Sequence, residues 1–157
     1  MNKFLLSVHV VAAIIFVGPV TVAASMFPPI ARRALTADPG GSDTAVLGVL
    51  HRISRGYAIG GLTVPVFGLA VGAGLGVLGE TWLIVSMVLT FAAAAVLAFV
   101  VLPGQDRVLS AAGGLPDERA DSVAQAKLLS MTTGIFALLW VTVTALMIIR
   151  PGSTTGV

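Results

Sequence analysis

The chain has 157 residues, 57% of them hydrophobic and 10% charged, with a formal net charge of +2. Soluble domains carry roughly a quarter charged residues, so this composition points to a membrane protein. Without cysteine there are no disulfides, thiolate metal sites or thiol nucleophiles, and without a basic stripe interleaved with aromatics nothing calls for a nucleic-acid partner.

A helix needs about 20 apolar residues to cross a bilayer. Four segments qualify in chain order: 4–27, 56–79, 81–102 and 128–149, none of them containing Asp, Glu, Lys or Arg. The expected fold is all-α, an antiparallel four-helix transmembrane bundle forming one domain over 1–150, followed by a short polar tail at 151–157. The first span also has the marks of a signal peptide, with Lys3 as the basic start and "VAAS" at 22–25 as a cleavage site. The apolar run continues past that site to Ile30, so an uncleaved anchor is expected.

Arg32, Arg33, Arg52, Arg55, Arg107, Arg119 and Lys127 fall in the two longer connections, and only Lys3 and Arg150 at the other ends. The positive-inside rule therefore places both termini outside and the two connections in the cytoplasm. The ratio of Arg to Lys and the wealth of Ala, Gly and Val suit a bacterial plasma membrane. Helix 2 is expected to start at a cap on Ser42 or Asp43, after the "DPGG" turn. Only Pro65 interrupts it, so it projects into the cytoplasm. Helix 4 is expected to do the same, opening at Pro116 with Asp117 and Glu118 in its first turn. "LPGQDRVLSAAGG" at 102–114 reads as a linker, and "DERAD" at 117–121 as a solvated helix start.

Glycine is concentrated in span 2. Gly56, Gly60, Gly68, Gly72 and Gly76 recur at a four-residue spacing, with Val64 filling the gap, so they form one slowly drifting stripe. In lipid, helices associate by close backbone approach, which small residues permit. The stripe is the expected packing face, with the alanines of "FAAAAVLAF" at 91–99 as its partner; the alternative is a surface that admits a flat ligand. Pro65 is expected to bend the helix. Ser86, Thr90, Thr132 and Thr133 are candidates for bonds between helices.

His9 is the only acid–base group well inside a span. Such a residue faces the bundle and finds a partner. Two readings stay open: a ligand to haem or metal or a proton relay, or a histidine bonded to a hydroxyl such as Thr142 or Thr144. His51 stands at the cytoplasmic end of helix 2, which counts against a bis-histidine haem. Arg32, Arg33, Arg52 and Arg55 are candidates for anionic phospholipid headgroups, alongside their topological role. Tyr57 and Trp82 read as interfacial anchors, and Trp140 as a packing residue within the bundle or against a neighbouring protein. No catalytic motif and no metal-binding cluster stands out, and the composition asks for no cofactor, haem at His9 being the alternative.

With its early histidine and a glycine nine residues on, "LLSVHVVAAIIFVGPVTVA" resembles the uncharacterised bacterial family of four-span predicted integral membrane proteins. The pattern is similar to copper-resistance membrane proteins and to a membrane protoporphyrinogen oxidase. "RRAL" after span 1 and the glycine-rich span 2 extend the likeness over most of the chain. The oxidase-like relatives place a tryptophan where Val17 precedes Gly18 here. Size and composition also resemble an accessory subunit of the actinobacterial supercomplex of cytochrome bcc and its oxidase. These resemblances imply a non-catalytic accessory or assembly subunit of a respiratory membrane complex, with other membrane subunits and lipids as partners. The alternative they imply is a haem- or porphyrin-handling protein using His9.

Overall fold

A computed structural model describes residues 2–37 and 41–152. Most of the expected polar tail, and residues 38–40 of the expected "DPGG" turn, lie outside them. Among the described residues four helices are long and apolar enough to cross a membrane: α1 (Lys3–Thr36), α2 (Ser42–Leu75), α3 (Thr81–Ala112) and α4 (Pro116–Ile149). Each has 32 to 34 residues, which at 1.5 Å per residue is roughly 48–51 Å, well beyond a hydrocarbon core of about 30 Å. All four exceed the core, not only α2 and α4. The segments read as connections are helical: α1 continues through Pro28 and Pro29 to Thr36, and the presumed linker is the last third of α3, Leu102–Ala112. Apolar Ala31, Ala34, Leu35, Val108 and Ala112 are buried there and hold these segments in helix. The cap of α2 also differs from expectation, since Gly41 takes the N-cap position without a side-chain bond.

Prolines mark each irregularity. A proline inside a helix lacks the N–H that bonds the carbonyl four residues back, and its ring crowds that carbonyl. Pro19 is preceded by a wide π turn at Ala13–Val17, and Pro103 by one at Leu97–Val101; the extra residue per turn makes room for the displaced carbonyl. Pro65 lies just past a break in the α2 ladder, where α-helix ends at Gly61 and resumes at Thr63. There Thr63 Oγ1 donates to the carbonyl of Gly60 at 2.7 Å, replacing part of what the ladder loses.

The two ends of the bundle differ. Where the α1–α2 and α3–α4 connections lie, the core is solid: Phe27, Leu47, Val108, Ala126 and Leu129 interlock with almost no exposure. A second cluster around Val20, Ala24, Ala93, Val101 and Phe136 fills the middle. Toward the chain termini the packing thins, and the segments Thr63–Leu75 and Thr81–Val96 scarcely touch.

Candidate functional site

The thinly packed end holds a cavity of about 450 Å³, bounded by all four helices. Its wall is almost wholly apolar, so the few polar groups define what it can do. His9 is half-buried on α1, and its Nδ1 lies 2.9 Å from the carbonyl oxygen of Val64 on α2. A carbonyl only accepts, so Nδ1 carries the proton and donates. In the neutral ring this leaves the lone pair on Nε2, the arrangement that orients metal-binding imidazoles. Gly68 makes the approach possible: a Cβ there would come within 3.0 Å of His9 Cε1. The partner of His9 is therefore a backbone carbonyl. Thr142 and Thr144, expected as alternatives, donate to their own helix at Leu138 and Trp140.

The remaining polar groups stand in two tiers. Arg150 and Trp82 lie at the mouth, the guanidinium carbon 5.5 Å from the indole centroid. Trp140 and Thr90 stand ten and eight residues further along their helices, about 15 and 12 Å deeper by helical rise. His9, packed on Gly68, is about 12 Å from the α2–α3 turn on the same scale. Among the described residues the buried Nε1–H groups of Trp82 and Trp140 have no hydrogen-bond partner. Both tryptophans line the cavity, with their ring nitrogens covered by protein atoms. Trp82, expected as an interfacial anchor, is only 7% exposed.

Among the described residues no group of three His, Asp or Glu could hold a bare metal ion. A single imidazole can hold an iron already chelated by a macrocycle. Met87 and Met147 also line the cavity and offer thioethers, which pair with histidine on haem iron. His51, 17 residues before Gly68 on α2, is roughly 25 Å away along the helix.

The five glycines take different positions. Gly60 lies against the Phe16 ring and Gly68 against His9, both on α1. Gly72 faces Leu83 of α3, where a Cβ would stand 2.9 Å from Cδ2. Gly56 has nothing within 4 Å of such a Cβ. Gly76 ends α2 with φ +71°, a left-handed cap that glycine adopts without strain. The stripe thus meets mainly α1. The alanines expected to partner it turn elsewhere, with Ala93 buried against Val20 and Ala24 of α1.

Arg32, Arg33, Arg52 and Arg55 are all exposed, and Arg33 reaches Asp43 at 4.0 Å. Ser86, Thr90, Thr132 and Thr133 bond carbonyls three or four residues back in their own helices, so they do not tie helices together. Two residues that do were not foreseen. Arg119, within the stretch expected to be solvated, is buried, and its Nη2 donates to the carbonyls of Ala34 (2.8 Å) and Ala37 at the end of α1. Gln105 is fully buried on α3; its Oε1 accepts from His51 Nδ1 at 3.2 Å and its Nε2 donates to Ser54 at 3.4 Å. A cation opposite the last carbonyls of a helix is the pattern that would have pointed to Arg119.

No protein-family model, curated protein or solved structure matches the chain.

Proposed function

We propose that the chain is a four-span protein of the bacterial plasma membrane that binds a porphyrin, haem in particular, in the cavity beside His9. One observation carries this reading: the imidazole is fixed through Nδ1 to the Val64 carbonyl, which turns Nε2 into a free ligand at the wall of an apolar chamber. The residues suit the group. The walls are apolar, and a haem iron would be held by the His9 imidazole, with the thioethers of Met87 and Met147 on the same wall as further donors. Bound haem would bring the iron's redox and ligand chemistry; the chain itself contributes the nitrogen and excludes water.

The test is to add hemin to the purified full-length protein in mild detergent and record the visible spectrum. A Soret band characteristic of axial histidine, absent in His9→Ala protein that elutes and melts like the parent, is the expected result. Folded wild-type protein that takes up no hemin, or His9→Ala protein that binds it with the same spectrum, overturns the reading.

A second reading, a non-catalytic accessory subunit of a respiratory complex, draws on the broad apolar outer faces, where residues such as Phe99, Leu138 and Ile148 are more than two-thirds exposed. Pull-down in gentle detergent followed by mass spectrometry tests it, and recovery of the chain without respiratory subunits overturns it. In both readings the end bearing Arg32, Arg33, Arg52 and Arg55 faces the cytoplasm, where the four arginines meet anionic phospholipid.

A further inference from the structure

The mouth of the cavity has a chemistry of its own. Among the described residues Arg150 is the one Lys, Arg, Asp or Glu on the cavity wall. Its side chain is held in place: Nε donates to the Met147 carbonyl at 3.3 Å, and the guanidinium lies over the Trp82 ring. Its backbone has φ +46°, an uncommon conformation for a residue with a side chain. Among the described residues no acid forms an ion pair with it. Beneath it, the Trp82 indole is more than nine-tenths buried and supports the guanidinium with its ring face. Trp82 is also in the first turn of α3, the end of a long helix where the macrodipole favours negative charge. Glu80, at the N-cap of that helix, is the nearest acid in sequence and does not line the cavity.

We propose that Arg150, stacked on Trp82, forms a carboxylate-binding site at the cavity mouth, so that a ligand enters with its apolar body inward and its acid group held at the membrane surface. The guanidinium fork offers paired donors to the two carboxylate oxygens, and the Trp82 ring beneath it fixes its position. The inference rests on the porphyrin reading for the identity of the ligand body, but a carboxylate can also come from a fatty acid.

The experiment titrates full-length protein in detergent with protoporphyrin IX, with its dimethyl ester and with palmitate, following tryptophan fluorescence. The free acid is expected to bind at least about tenfold more tightly than the ester, the difference one charge-assisted pair supports. In Arg150→Gln the acid should fall to the affinity of the ester, with the ester unaffected. Trp82→Ala removes the ring on which the guanidinium rests, and it should weaken acid binding more than ester binding. Equal binding of acid and ester by the wild type, or an acid preference that survives in both variants, overturns the carboxylate site while leaving the porphyrin reading standing. Palmitate binding that depends on Arg150, with neither porphyrin bound, supports the site and overturns the porphyrin reading. Failure of all three probes to bind folded protein overturns both.

Discussion

Gly68→Ala tests the contact on which the site depends. In a soluble helix this change would be favourable by about 1 kcal/mol, because alanine is the better helix former. In a membrane the unfolded reference keeps its helices, since backbone groups in lipid must bond internally, so most of that gain disappears. What remains is the contact. The new Cβ would sit 3.0 Å from His9 Cε1, against about 3.5–4.0 Å for ordinary carbon contact. The ring must retreat by roughly half an ångström to reach that range, and its 2.9 Å bond to Val64 has little slack before it passes the ~3.2 Å limit of good geometry. Interhelical hydrogen bonds in membranes contribute about 0.6 kcal/mol on average and up to ~1.7. With some lost contact area between α1 and α2, Gly68→Ala is expected to cost about 1–2 kcal/mol. The assay is reversible unfolding in mixed detergent with a double-mutant cycle against His9→Ala. Because both changes strike the same bond, the second should cost much less once the first is made, a coupling of about 0.5 kcal/mol or more. Full additivity, or Gly68→Ala as stable as the parent, would refute the argument that glycine is there to seat the imidazole.

Two further predictions follow from the packing. Gly72→Leu puts a side chain where Leu83 already stands and should lower stability by about 1–3 kcal/mol, the usual range for overpacking; Gly56→Ala, which meets open space, should stay within about 0.5 kcal/mol of the parent, and melting curves of the pair check the contrast. Arg119→Met leaves two carbonyls at the end of α1 without their donor and should cost about 2–4 kcal/mol, measured in the same unfolding assay; a parental melt would show that water caps that helix equally well.

Four long helices were legible in the sequence because hydropathy alone marks a span. The extent of those helices was not. Pro28–Pro29 and Pro103 look like breakers in isolation, yet the chain runs on because Phe27, Ile30, Val101 and Val108 are buried on either side of them, and tertiary contact outweighs a missing backbone bond. His9 stood out as the one ionisable group deep in a span. Its partner did not, because a backbone carbonyl leaves no trace in residue type. The partners of the glycines were likewise hidden, since spacing gives a face but not the helix it meets. Arg119 and Gln105 looked solvated by composition; each is buried because it satisfies carbonyls or side chains more than 50 positions away in the chain.

The uneven bundle has a mechanical logic. At the solid end, Arg119 clasps the terminus of α1 to α4, and Gln105 joins α3 to α2 through His51 and Ser54. The polar bonds that tie one helix to another are thus concentrated there; the wide turn before Pro103 stands between that end and the cavity, while the one before Pro19 forms part of the cavity wall. At the hollow end, side-chain bonds between helices are reduced to that of His9 with Val64, among the described residues. The helices there are held mostly by apolar contact, which in lipid gives little preference for a closed over an open arrangement. A molecule that fills the chamber therefore adds contact where the bundle has least, so binding should raise the stability of the hollow end more than that of the solid end. Hydrogen exchange separates the two: with ligand, amides of 64–75 and 81–90 should slow markedly while those of 105–112 barely change. Uniform slowing along α3 would show that the bundle responds as one body and that the division into a rigid and a receptive half is mistaken.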